Sequence, residues 1–315
     1  MTAFAFVFPG QGSQAVGMLD AWGDHPVVAR TLEEASEALQ EDIALMISHG
    51  TKEALALTTN TQPVMLVAAV ACYRAWVAET GCIPDAVAGH SLGEYSALVA
   101  AGALSLADAA PLVRFRAQAM QNAVPVGVGA MAAIMGMSSV DVIKGCAEAA
   151  QTFTTGAEVV EAANFNEPGQ TVIAGSKAAV DRACEILKSK GAKRAIVLAV
   201  SAPFHSSLMK PAAEQLREKL RTTVFAAPKI PLINNIDVMV ESDVQRIRDA
   251  LYRQAFGPVR WVESVRALKA FGLVNLVECG PSKVLTGLVK RIDPDMTGMS
   301  LSDPASLQAV KELLV

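Results

Sequence analysis

Gly89, His90, Ser91, Leu92 and Gly93 spell G-x-S-x-G, the pattern of a serine nucleophile carried on a sharp strand-to-helix turn. A short apolar run, Asp85 to Ala88, precedes it, and a helix is expected from near Glu94, which is the setting such a turn requires. The amino terminus of that helix would place partial positive charge where an oxyanion forms. A serine also needs a general base, and the chain offers four histidines. His25 and His49 lie in polar, loop-like sequence and read as surface groups, while His90 adjoins the nucleophile and reads as a structural or substrate contact. His205 remains, in a loop after one predicted strand and before a predicted helix. Between Ser91 and His205 no acid stands out, since Asp181 and Glu185 read as solvated helix charges. The economical expectation is a Ser/His dyad whose histidine is oriented by a backbone carbonyl.

A second glycine-flanked turn, Pro9 to Gln14, follows an apolar run. It is not a dinucleotide fingerprint, because the third glycine would fall at Ala15, and no Gly-Lys-Ser/Thr follows to make a phosphate loop. Such a turn can still aim a backbone N–H at an oxyanion. Gln11 is assigned that role, with Leu92 as the second donor.

These turns need elements to hold them. Phe4 to Phe8 reads as a buried first strand; Thr61, Gln62 and Pro63 read as the start of a long apolar helix, with Thr as cap and an early Pro. From Gly129 onward the pattern becomes strand, helix, strand, strand, helix, strand: Met131 to Ile134, Val140 to Ala150, Val159 to Asn164, Thr171 to Ala174, Lys177 to Lys190 and Ala195 to Val200. That is the βαββαβ order of a ferredoxin-like unit. Pro203 to Leu220 then reads as helix, with Pro231 to Asn235 and Val274 to Glu278 as strands. The expected fold class is α/β: an α/β-hydrolase-like domain with a mostly parallel sheet, built from 1–127 and 201–315, interrupted by a ferredoxin-like subdomain at 128–200.

A chain of 315 residues, 52% hydrophobic, can fill such a core. Its longest apolar stretch, Val64 to Tyr73, meets Arg74 well short of the ~20 residues of a membrane span. With no basic, apolar leader pattern at the amino terminus, the cytoplasm is the expected compartment. Five scattered cysteines, none in a C-x-x-C pair, argue against a disulfide framework or a zinc site. A formal net charge of -4 gives no reason to expect nucleic acid.

Taken together, Phe8 to Gln14, the GHSLGEYSA stretch from Gly89 to Ala97, Asn164 through Gly169, His205, and Glu278 to Pro281 resemble the malonyl-CoA:acyl-carrier-protein transacylases of bacterial fatty-acid synthesis, over nearly the whole length. The resemblance implies an acyltransferase that moves a malonyl group from its coenzyme A thioester, through an ester on Ser91, to the phosphopantetheine thiol of acyl carrier protein. It implies no cofactor and no metal, because one thioester is exchanged for another, and a chain acting as a monomer.

The resemblance also assigns roles that the residues alone leave open. Arg116 matches the arginine that pairs with the malonyl carboxylate, whereas by sequence alone Arg114 and Arg116 are indistinguishable. Gln254 matches the position whose backbone carbonyl orients the histidine, so its side chain is expected to matter less. Gln62, His90, Asn164 and Phe204 are expected in the substrate pocket, Phe204 as the ring that crowds an α-methyl group. Ser282 stands where many relatives carry glycine. Lys188, Lys190, Lys193 and Arg194, with Lys283, Lys290 and Arg291, are the candidate carrier-docking cations. The competing readings are a serine thioesterase or esterase with water as acceptor, a trans-acting acyltransferase of polyketide synthesis, and a non-enzymatic carrier-docking protein.

Overall fold

Phe4, Ala5, Phe6, Val7 and Phe8 offer water no polar side chain on either face, and they form a central strand, β1 (Phe4–Phe8), buried along its whole length. The computed structural model describes residues 2–154 and 158–315. The remaining strands are β2 (Ala86–Gly89), β3 (Gly129–Met135), β4 (Val160–Glu167), β5 (Gln170–Ser176), β6 (Arg194–Val197), β7 (Leu232–Ile233), β8 (Asn275–Cys279) and β9 (Thr297–Leu301). One sheet has the order β7-β2-β1-β8-β9, with every pair parallel.

Because side chains alternate along a strand, β1 feeds two cores. Phe4, Phe6 and Phe8 pack on one face, where Phe6 meets Trp76 edge-on at 5.7 Å between ring centroids; Ala5 and Val7 face Trp261 and Leu288 on the other. The register pairs Phe8 with Gly89, so the chain leaves both strands side by side and brings the Pro9–Gln14 turn next to the Gly89–Gly93 turn. In open α/β sheets the ligand crevice lies beyond these carboxyl ends.

The second sheet has the order β4-β5-β3-β6 and is antiparallel throughout. The helices Ser139–Gln151 and Lys177–Ser189 pack against it around Ile134, Val142, Ile173 and Leu187. This is the ferredoxin-like arrangement, and all four strands lie between 129 and 197. It is tied to the larger sheet's layer by Phe165 donating to the Val259 carbonyl and Val259 donating to the Ala163 carbonyl, both at 2.9 Å.

Several element boundaries differ from expectation, each for a local reason. The long helix begins at Thr58 and not at a Thr61 cap, so Pro63 lies inside it. A proline has no N–H for the carbonyl four residues back. That carbonyl, of Thr59, is taken up by the Arg114 guanidinium instead. The helix expected from Pro203 starts only at Lys210, after a single 3-10 turn at Ser207–Met209, which leaves His205 on a loop. Asp85 stands outside β2, its carboxylate accepting from the Phe4 N–H at 3.0 Å. The strand expected at Ala195 to Val200 ends at Val197, and its last residues turn to line the cleft described below. Pro231 to Asn235 keeps only two residues in ladder pairing, Leu232 and Ile233. The strand β9 and the carboxyl-terminal helix Pro304–Leu314 are not anticipated from sequence.

Candidate active site

The turn that carries Ser91 exists because two glycines let backbones touch. A Cβ on Gly89 would lie 2.0 Å from the Gly93 carbonyl, and one on Gly93 would lie 2.0 Å from the Phe8 carbonyl oxygen. Ser91 itself sits at φ 52°, a left-handed conformation that a non-glycine residue holds only when its surroundings fix it. Asn235 supplies that fixing. Its Oδ1 accepts from the Ser91 N–H at 2.7 Å and its Nδ2 donates to the Gly89 carbonyl at 2.6 Å, clamping the turn from the end of the shortest strand.

Ser91 Oγ lies 2.7 Å from His205 Nε2. On the other side of the ring, Nδ1 faces the carbonyls of Gln254 at 2.9 Å and Gly257 at 3.2 Å. Carbonyl oxygens only accept, so Nδ1 carries the proton and the Nε2 lone pair faces the serine hydroxyl. Burial, and secondly the charge of Arg116, push the His205 pKa down to about 3, which keeps the imidazole neutral. The arrangement is a serine hydroxyl bonded to a neutral, oriented base. No carboxylate contacts the ring among the described residues. His205 also sits in the left-handed region, at φ 63°.

Beside the hydroxyl, the Gln11 turn lines the cleft, and Leu92, directly after Ser91 and buried, stands at the start of the helix Gly93–Ala100. Among the described residues neither backbone N–H donates to a protein acceptor. The cleft runs between the two sheets and holds about 210 Å³; Gln11, His90, Ser91, Asn164, Asn166, Phe204 and His205 line it.

Arg116 arrives from the helix Leu106–Ala123 and is 2% exposed. Its Nη1 donates to Gln62 Oε1 at 2.6 Å, and its Nη2 to Gln254 Oε1 at 3.1 Å and to Ser91 Oγ at 3.3 Å. The Tyr95 ring lies 5.4 Å away. Burial pulls the guanidinium's pKa down while Tyr95 and Glu94 pull it up. A buried cation beside the nucleophile, held by neutral amide oxygens rather than by a hydrogen-bonded carboxylate, can take an anion. Arg114, two residues earlier, points elsewhere, to Glu41, Asn60 and the Thr59 carbonyl.

The other expected pocket residues divide. Phe204 and Asn164 are buried and line the cleft, and His90 lines it with Nε2 at 2.8 Å from Asn166 Oδ1. Enclosure lowers the His90 pKa, so this ring too is neutral. Gln62 does not line the cleft; it is fully buried behind Arg116 and reaches the site only through it. The backbone carbonyl of Gln254 faces His205 Nδ1, as the resemblance implies, and the side chain has contacts that sequence reasoning did not foresee. That side chain, fully buried, bonds Arg116, the Ser91 carbonyl at 3.0 Å and Glu94 Oε2 at 3.0 Å.

Glu94, Asn235 and Asn166 are the site residues that sequence reasoning missed. Glu94 is 2% exposed, and burial pushes its pKa up to about 7 against the pull of Gln254, Asn235 and Arg116. A signal existed for Glu94 alone: its place one turn beyond the serine, on the face of the helix that carries it.

The chain matches the acyl transferase domain family over residues 5–297. It is 51% identical over 314 residues to the malonyl CoA-acyl carrier protein transacylase of Escherichia coli (strain K12), covering 99% of this chain and 100% of that one. Among solved structures, the acyl-carrier-protein S-malonyltransferase of Burkholderia pseudomallei 1710b superposes with a TM-score of 0.95 at 61% identity, covering 98% of this chain and 99% of that chain. A malonyl-transacylase in complex with its type II polyketide-synthase acyl-carrier protein superposes with a TM-score of 0.96 at 46% identity, covering 99% and 100% respectively.

Proposed function

Since the chain belongs to the acyl transferase family, among its malonyl-CoA-acyl carrier protein transacylases, we propose that it works through a malonyl ester on Ser91. It is an acyltransferase that moves malonyl from coenzyme A to acyl carrier protein, the extender-unit step of fatty-acid synthesis. The observation that carries the mechanism is Arg116 Nη2, from a buried guanidinium, at 3.3 Å from Ser91 Oγ, a fixed cation where a dicarboxylic acyl group would attach.

In this reading neutral His205 takes the Ser91 proton, Ser91 attacks the thioester carbonyl, and the N–H groups of Gln11 and Leu92 hold the oxyanion. His205 then protonates the departing coenzyme A thiolate. A malonyl carboxylate on Arg116 offsets the charge that helps depress His205, so the base strengthens as the correct substrate binds. The carrier thiol reverses the sequence. Thioester replaces thioester, so the chemistry calls for no ATP, metal or redox group. A monomer as the working unit is part of the proposal. No helix among the described residues is long and apolar enough to cross a membrane, and cytoplasmic work is part of the proposal. The kinetic test is initial rates with both substrates varied: a covalent intermediate gives parallel double-reciprocal lines, and intersecting lines contradict it.

Phe204, buried and against the cleft next to His205, supports selectivity at the α-carbon. Phe204→Ser is expected to raise the turnover of methylmalonyl-CoA relative to malonyl-CoA by about tenfold or more, the scale of pocket-shape effects. A fixed ratio in a folded variant makes Phe204 core alone.

For the carrier, the two candidate patches differ in position. Lys283, Lys290 and Arg291 are exposed on or beside the helix Val284–Ile292, whose Val284, Leu285 and Leu288 line the cleft. Arg194 pairs with Met135 at the far end of the second sheet. Each group has one cation already in an ion pair, Lys190 with Glu148 and Arg291 with Glu167, so nearness to the cleft decides, and the 283–291 group is the docking patch of this proposal. Reversing its charges should weaken transfer to carrier by about tenfold and flatten its salt dependence, with acylation by malonyl-CoA retained. The same loss from the 188–194 group instead would relocate the patch.

A further inference from the structure

Gln254 touches all three groups of the site. Its backbone carbonyl takes the His205 Nδ1 proton at 2.9 Å, its Oε1 accepts from Arg116 Nη2 at 3.1 Å, and its Nε2 donates to the Ser91 carbonyl and to Glu94 Oε2, each at 3.0 Å. A primary amide can present either end to a neighbour, and the two ends have opposite roles. Here the neighbours decide. The Ser91 carbonyl can only accept, Glu94 Oε2 already accepts from the Asn235 N–H, and a guanidinium can only donate, so one orientation satisfies all three and the flipped one satisfies none. Glu94 is itself held in place by the Asn235 N–H, which reaches its Oε2 at 2.9 Å, and Asn235 clamps the Ser91 turn.

We infer that Glu94 is a positioning residue for the malonyl-binding arginine: together with the Ser91 carbonyl it accepts from the Gln254 amide, and so holds the end of that amide that meets Arg116 and the direction of Nη2. The inference rests on the reading of Arg116 as the partner of the malonyl carboxylate. Two amide oxygens, of Gln62 and Gln254, hold the two Nη atoms. The Gln62 amide is set separately, its Nε2 donating to Thr58 Oγ1 at 3.1 Å. Only the Gln254 end depends on a carboxylate. No hydrogen bond joins Glu94 to Arg116 among the described residues, so Glu94 acts on the guanidinium through Gln254 and leaves its bonding edge free.

Glu94→Gln on the full chain is the test, since a second amide can face Gln254 with either end. Acylation of Ser91 is followed with malonyl-CoA and with acetyl-CoA. The malonyl-CoA KM should rise about tenfold, the scale of a charge-assisted hydrogen bond, while acetylation falls no more than about threefold. Equal loss with both acyl groups, or no loss with either, overturns the role. If Glu94→Gln does not fold, Glu94→Asp draws the carboxyl group back from Gln254 Nε2 while leaving the amide and its bond to Arg116 in the chain. A malonyl-selective loss there supports the inference, and an equal or absent loss overturns it. Wild-type protein separates the two layers: failure of wild type to take malonyl while taking acetyl overturns the reading of Arg116 and this role with it, whereas normal wild-type behaviour with an unselective variant overturns the role of Glu94 alone.

Discussion

Arg116→Ala is expected to lose malonyl transfer by roughly two to four orders of magnitude, which is what leaving a buried carboxylate without its partner costs, about 3–5 kcal/mol. Acetyl-CoA has no carboxylate to pair, so its reaction should fall little or even rise. The selectivity follows from the site: Arg116 is 2% exposed and its Nη2 already points at Ser91 Oγ, so a carboxylate entering there meets a fixed donor edge rather than water. Arg116→Lys should recover only a small part, because an ammonium lacks the planar fork that grips two oxygens. Arg114→Ala is the control. It removes the cover of the Thr59 carbonyl and the pair with Glu41, so it should cost stability without changing the malonyl-to-acetyl ratio. Rates with both acyl-CoA substrates and a thermal midpoint for each variant decide the matter. Equal depression of malonyl and acetyl transfer in folded Arg116→Ala makes the arginine structural, and selective loss in Arg114→Ala makes the assignment wrong by two residues.

Ser91→Ala and His205→Ala should each lose about 10^4 to 10^6 in acylation rate, and the double variant should be no worse than either, because nucleophile and base act as one unit. The 2.7 Å bond between Oγ and Nε2 and the two carbonyls behind Nδ1 leave His205 no second task in the site. Stability should move the other way for His205. A neutral imidazole held to a pKa of about 3 must be buried without charge, so acid destabilises the fold as pH falls from the unfolded value near 6.5 toward 3, and removing the ring removes that sensitivity. Single-turnover rates and melting curves at pH 7 and 4.5 read both effects. A His205→Ala protein that acylates within tenfold of wild type contradicts the dyad.

The parts of this site that sequence makes legible are those fixed by local backbone need. G-x-S-x-G is readable because Gly89 and Gly93 leave no room for a Cβ, and the Pro9–Gln14 turn because it follows a strand with no polar side chain. The order of the second sheet's elements is readable because amphipathic periodicity changes there. Arg116 is legible only through resemblance: on one helix with Arg114, nothing local says which of the two is buried. Asn235 and Glu94 are not legible, since their bonds span 144 and 141 residues and depend on where Leu232–Ile233 meets β2. Pro63 misleads in the same way. Its cost inside a helix is offset by Arg114, a side chain 51 positions away whose reach to Thr59 no local rule predicts. Ser282 sits in left-handed backbone at φ 86°, a conformation glycine adopts more freely than serine.

The central claim is that Ser91 carries malonyl and passes it to a carrier thiol, and the mass of the protein after mixing with malonyl-CoA tests it most directly. Peptide mapping should find one malonyl group, on Ser91, stable against water over minutes and discharged within seconds by holo-acyl carrier protein, with the label recovered on the carrier. An unmodified Ser91, or a malonyl-Ser91 that water discharges as fast as the carrier does, contradicts the account; the second result would make the protein a thioesterase.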